Sequence, residues 1–157
     1  MPTMHAPWNP AEVVKVLLIS SPHKSHHSLR QILQHSNWHL HWVSTCNEGF
    51  AYLSNNDTAV VICERDLPDG DWKLVLKRFD SLRMPPNLIV TSRLADDELW
   101  AEVLKLGGYD VLPQPFDAQE VFRVVRLAWH ERKMRVQGSA ACKRAPEPTR
   151  AKSRAAT

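Results

Sequence analysis

The sequence predicts a doubly wound α/β fold, a five-stranded parallel sheet with helices on both faces, and three observations predict it. Apolar runs of strand length recur five times, stretches with apolar residues at helical spacing separate them, and the connections are short. Parallel neighbours need crossovers, which the intervening helices supply with the usual right-handed sense.

Val13-Val14-Lys15-Val16-Leu17-Leu18-Ile19 is β-branched and nearly unbroken until Ser20-Ser21-Pro22, as expected of a strand buried on both faces. Ser28 to His35 then places Leu29, Ile32 and Leu33 at helical spacing. In the second strand Trp38, Leu40 and Trp42 alternate with polar residues, which leaves His39 and His41 on a partly exposed face. A helix over Glu48 to Leu53 follows, weakened by Gly49.

Val60 to Cys63 is the third strand, and Trp72 to Leu82 carries Leu74, Val75, Phe79 and Leu82 at helical spacing. Leu88-Ile89-Val90-Thr91 is the fourth strand. Asp96-Asp97-Glu98 opens the next helix with acids where its dipole favours them, Leu99, Val103 and Leu106 supply an inward stripe, and Gly107-Gly108 ends it. Val111-Leu112 is the fifth strand. After the stiff Pro113-Gln114-Pro115-Phe116 turn, Asp117 caps a last helix that runs through Val121, Val124, Val125 and Ala128.

These elements make one domain over residues 13–136, preceded by a leader over 1–12 and followed by a tail over 137–157. The tail holds Lys143, Arg144, Arg150, Lys152 and Arg154 against Glu147, a balance of +4, so the rest of the +3 chain sums to −1. With little to bury, the tail is expected to be disordered. No apolar stretch approaches the roughly 20 residues needed to cross a bilayer, and no secretory signal opens the chain, so a soluble, cytoplasmic protein is expected. Three cysteines, Cys46, Cys63 and Cys142, lack metal or disulfide spacing and read as free thiols, Cys63 as a core residue.

In sheets of this kind the functional crevice lies at the carboxyl ends of the strands, where Ser20, Ser21, Glu64, Thr91 and Gln114 fall. From about Val14 to Trp129 the order of elements and their punctuation resemble the response-regulator receiver family, with its flavodoxin-like, CheY-type fold. The resemblance rests on Glu64-x-x-Leu67-Pro68-Asp69-Gly70, on Thr91, on Gly107-Gly108-Tyr109-Asp110 and on Pro113-Gln114-Pro115-Phe116.

It implies a phosphorylatable aspartate at Glu64, an acidic pair at Ser20 and Ser21, a hydroxyl at Thr91, a lysine at Gln114 and an aromatic switch residue at Val111. Only the hydroxyl is present here. Phosphoryl transfer to a carboxylate needs a divalent cation and a fixed positive group to neutralise charge as the attacking oxygen approaches. Mg²⁺ wants carboxylate oxygens, and two serine hydroxyls are poor replacements. The expectation is a pseudo-receiver without metal, cofactor or phosphate, with Glu64 the one ionisable group of the inner pocket. Glu64 is either a partial mimic of a phosphoryl group or a tolerated strand-end acid.

Other constellations point less far. His23, His26 and His27 have no zinc spacing, and no nucleophile elbow or Gly-rich phosphate loop supports an enzyme. Trp100 and Leu104 lie about 100° round the helix from Leu99 and Val103, and Phe122 and Trp129 play a comparable part on the last helix. The resemblance makes the fourth helix, fifth strand and last helix an output and dimerisation surface. These four residues are therefore the expected contact face for a protein partner or a second copy. The alternatives are a receiver still phosphorylated at Asp66 or Asp69, and an adaptor held weakly to nucleic acid by the basic tail.

Overall fold

A computed structural model describes residues 13–21, 24–34 and 38–144, with residues 24–26 and 139–144 as backbone only. Strands β1 (Lys15–Ile19), β2 (His39–Val43), β3 (Val60–Glu64), β4 (Asn87–Ser92) and β5 (Asp110–Pro113) form one parallel sheet in the order β2-β1-β3-β4-β5. The chain order reverses between β1 and β3. A crevice opens at the carboxyl ends of such a pair because the following connections leave in opposite directions.

Period-two alternation divides the core. Leu17, Ile19, Val61, Cys63, Leu88 and Val90 face α2 (Cys46–Asn55), α3 (Trp72–Arg78) and α4 (Asp97–Leu106). Val16, Leu18, Val60, Ile62 and Ile89 face α1 (Lys24–Gln34) and α5 (Ala118–Arg144). The central strands are buried on both sides, which is why they read as unbroken apolar runs.

Local chemistry sets the helix ends. Thr45 caps α2 by accepting the Glu48 amide at 3.1 Å, and Asp71 caps α3 by accepting those of Lys73 and Leu74. Asp96 caps α4, Gly107 ends it at φ 107°, and Asp117 accepts the Glu120 amide at 3.0 Å at the start of α5. Gly49 does not interrupt α2. A Cβ there would come within 2.7 Å of Ile19 Cδ1, so glycine lets α2 approach β1 closely.

Several expectations need correction. Leu106, in the last turn of α4, is exposed and lines a groove with Leu76 and Leu82, and only Leu99 and Val103 of the expected stripe are buried. Leu74 is likewise exposed on α3, which ends at Arg78 and tightens into a 3-10 turn over Phe79–Ser81. α1 begins at Lys24 rather than Ser28, and α2 spans more than Glu48 to Leu53. α5 continues to Arg144, eight residues beyond the expected domain end at 136, while 1–12 and 145–157 lie outside the described residues.

The amino-terminal edge of the sheet anchors α5. Arg132, only 7% exposed, donates to Asp57 Oδ1 at 2.7 Å and to the Met84 carbonyl at 2.9 Å. Arg135 reaches Asn87 Oδ1, and the Asn87 amide donates to the Ala128 carbonyl and to Glu131. One helix is thereby tied to the loops before β3 and β4.

Candidate functional site

β1, β3 and β4 deliver Ser20, Glu64 and Thr91 to one end of the sheet, and the loop after β5 brings Gln114 alongside. Register places Glu64 opposite Thr91, since β3 and β4 pair Cys63 with Val90 and Glu64 with Thr91. Ser20 and Thr91 are each 2% exposed. Glu64 Oε1 accepts the Ser21 amide at 3.1 Å, tying β3 to the loop after β1. The Ser20 hydroxyl donates to the Ser21 carbonyl, and the Trp42 indole donates to the Ser20 carbonyl at 2.8 Å. On the far side Gln114 Nε2 approaches Thr91 Oγ1 at 3.4 Å.

A cleft of about 300 Å³ opens over this floor. Glu64, Asp66, Arg65 and Arg93 line it together with Thr91, Ser92, Leu94 and Gln114. Glu64 is therefore not the one ionisable group at this end, and two arginines were missed. Arg65 directly follows Glu64, and Arg93 comes two residues after Thr91. A strand-end count could have found them, because the first loop residues after parallel strands border the same crevice.

These residues do not fit a bound Mg²⁺. A hard divalent ion takes oxygen ligands that include at least one or two carboxylates. Here serines occupy the loop after β1, the Ser20 hydroxyl is engaged with its neighbour's carbonyl, and of the two carboxylates lining the cleft Glu64 holds the Ser21 amide while Asp66 is exposed on the hairpin after β3. Among the described residues no group of three or more His, Cys, Asp and Glu could hold a metal. His23 lies outside the described residues, as does the side chain of His26.

Asp69 is committed elsewhere. Its two carboxylate oxygens accept the amides of Cys46 and Asn47 at 2.8 and 3.0 Å, which ties the loop after β3 to the amino terminus of α2. Partial burial works upward on this carboxyl, but those amide bonds outweigh it and hold its pKa below the usual carboxylate value. Pro68 and Asp69 form the tip of a hairpin in which Asp66–Leu67 pairs antiparallel with Gly70–Asp71. Burial, with Asp69 adding to it, pushes the Cys46 thiol up to about 12, and burial also raises Cys63. Both are free, buried thiols.

Val111 pairs with Val90 and packs into the core with Leu99 and Val103. A residue buried there fills the space beneath α4 and presents nothing to solvent. On the outer face the Trp100 indole donates to Asp110 Oδ1 at 2.9 Å, and Leu104 lies exposed one turn on.

Phe122 and Trp129 are not part of that patch. Phe122 meets Trp38 edge-on at 5.5 Å, and Trp129 lines a cleft with Val13 and Lys15 beneath the Lys133 ammonium. Both belong to the α1 side of α5. Leu127, 47% exposed, lies on the stripe of α5 that carries Arg123 and Glu131. Arg123, whose charge feels Asp110 and Tyr109, and Glu131, which acts on Tyr109, flank it by one turn each way.

The sequence profile described as "Response regulator receiver domain" matches residues 16–126. The chain belongs to that family. No curated protein sequence matches it. Among solved structures, the signal receiver domain of an HD domain-containing protein from Pseudomonas fluorescens Pf-5 is 23% identical, with a TM-score of 0.70 over 78% of this chain and 99% of that one. A CheY-like receiver domain protein from Methanospirillum hungatei JF-1 is 18% identical, with a TM-score of 0.70 over 79% and 99%. The beryllofluoride-activated NtrC4 receiver domain dimer is 20% identical, with a TM-score of 0.69 over 75% and 98%. At these identities the structural likeness establishes the flavodoxin-like fold. Among the receiver's described residues no helix is long and apolar enough to cross a membrane.

Proposed function

We propose that this receiver works as a cytoplasmic signalling module that takes up no phosphate, catalyses no reaction and passes its signal by contact with a protein partner. The observation that carries the proposal is the Glu64 contact. The side chain at the acceptor position accepts the Ser21 amide, with serines where an acidic pair would stand and Gln114 where a lysine would stand.

Charge counting supports it. An incoming phosphoryl group brings about −1.5 to −2 of charge, which a metal and a fixed cation must neutralise at the attacking oxygen. Arg65 and Arg93 line the cleft, but a rim guanidinium does not replace an ion that bridges the attacking and transferred oxygens. Glu64 serves instead as a permanent tie between β3 and the loop after β1, which needs no cycle of modification.

The partner surface on this reading is the α4–β5–α5 face, with Trp100 and Leu104 from α4 and Leu127 from α5. Trp100 is an effective anchor, since its indole N–H is already satisfied by Asp110 and its ring remains 48% exposed. The NtrC4 receiver domain is a dimer in its beryllofluoride-activated form, which makes a second copy one candidate partner.

One observation favours a second reading, phosphorylation at Asp66. That residue is exposed and lines the same cleft as Arg65 and Arg93. Incubation with a small-molecule phosphodonor and Mg²⁺, followed by intact-mass measurement, separates the two. An unchanged mass is expected. An adduct that disappears in Asp66→Asn establishes the second reading, and one that disappears in Glu64→Gln overturns the proposal outright.

A further inference from the structure

We infer that the receiver associates head to tail with copies of itself, the acidic loop at the start of α4 docking into a cationic groove at the opposite end of β4. The acidic side is built around Leu94, whose side chain is 68% exposed. Ser92 Oγ accepts the Leu94 amide at 3.1 Å and so shapes the turn that presents it, and exposed Asp96, Asp97 and Glu98 follow immediately. Capping explains Asp96, which accepts the Leu99 amide. It does not explain a large apolar side chain left in water beside the acids.

The receiving side is a groove of about 880 Å³ at the amino-terminal edge of β4 and β5. Leu76, Phe79, Leu82 and Leu106 give it an apolar lining, and Leu106 is 49% exposed. Four cations and two carboxylates line it. Lys73 is paired with Glu102 and Arg135 with Glu131, so the surplus is carried by Lys77 and Arg83 against Asp80.

One side thus offers an exposed leucine with Arg93 before it and three carboxylates after it, a net acidic segment, and the other an apolar trough edged by Lys77 and Arg83 in excess over Asp80. They cannot meet within one molecule, because β4 separates them by its full length, about 20 Å for six residues. They can meet between two. The contact uses different surfaces on the two copies, so it propagates into a filament or closes into a ring rather than stopping at a symmetric pair. Complementary charge sets register and orientation, with the apolar contact supplying the burial.

The inference is independent of the phosphate question and of the α4–β5–α5 face, and sedimentation velocity tests it on the full chain. The wild type is expected to gain mass beyond a dimer as concentration rises and to lose that mass as salt rises. Leu94→Asn and the double variant Lys77→Glu/Arg83→Glu, both on exposed residues, should each weaken association about tenfold or more. Mixed one to one, they retain one intact contact between them, the double variant's acidic loop in the groove of Leu94→Asn, and should form pairs that do not grow. A wild type that stays monomeric at every concentration overturns the inference. So does a mixture that fails to pair, or self-association that stops at a dimer and is lost in Trp100→Glu but kept in Leu94→Asn.

Discussion

The two ends of the sheet differ in how they use charge. At the amino-terminal edge a nearly buried guanidinium, Arg132, binds Asp57 and the Met84 carbonyl and holds α5 in place. At the carboxyl edge, where receivers place their chemistry, the floor is two serines, a threonine, an amide and one acid that holds a backbone N–H. The first end is electrostatically committed to structure. The second keeps the family's fold with serines and an amide at its floor, and on the proposed function that floor no longer meets the requirements of phosphoryl transfer.

The largest expected effect lies at the structural end. Arg132→Ala should lower unfolding free energy by about 2 to 3 kcal/mol, since it removes a buried side chain's packing and charge-assisted hydrogen bonds. Asp57→Ala should cost less, about 1 kcal/mol, because Arg132 keeps its packing and its bond to the Met84 carbonyl and water can enter the exposed position that Asp57 leaves. Urea denaturation of both variants checks the order. Equal losses would mean that the ion pair, not the guanidinium's burial, carries the anchorage.

Asp69, in the loop after β3 at the carboxyl edge, offers a smaller test. Asp69→Asn should cost about 1 kcal/mol at neutral pH by weakening two amide contacts at the start of α2. Its folded pKa is depressed, so its contribution is complete above the unfolded value near about 3.9 and fades as pH falls through the lower folded value. Urea midpoints of wild type and variant should converge as the solution is acidified through that window. A gap that persists at the acid end would place the effect outside this carboxylate.

The functional end should be nearly silent to stability but sensitive in chemistry. Glu64→Gln keeps an acceptor for the Ser21 amide and should change stability by less than about 1 kcal/mol. Restoring Ser20→Asp, Ser21→Asp, Glu64→Asp and Gln114→Lys together should create Mg²⁺ binding visible by calorimetry. Failure of that variant, if folded, would show that the cleft's shape has departed from a receiver's as well as its charges. Smallest of all, neither Cys46 nor Cys63 should react with a thiol reagent near neutral pH in the folded state. Rapid labelling of either would contradict their burial.

The five strands and the pocket floor were legible because burial on both faces writes itself into unbroken apolar runs such as Val60 to Cys63, and strand ends then fix where Glu64 and Thr91 must lie. The caps at Asp117 and Gly107 were legible for an equally local reason. What failed depended on neighbours. Leu106 has the spacing of a core residue but lines an open groove, and Gly49 reads as a weak point until Ile19 is placed against it. Phe122 and Trp129 share a helix with Leu127, yet only three-dimensional placement shows that Trp38 and Val13 claim their side of α5. Arg132 could not be found at all from sequence, where a cation late in a surface helix looks solvated.

The most direct test of the contrast is an amide-resolved NMR titration of the wild-type chain with beryllofluoride and Mg²⁺, a phosphoryl surrogate that binds only where an acid and a metal act together. The account predicts no saturable shifts at Ser21, Glu64, Thr91 or Gln114. Saturable shifts clustered on those residues, dependent on Mg²⁺, would contradict it.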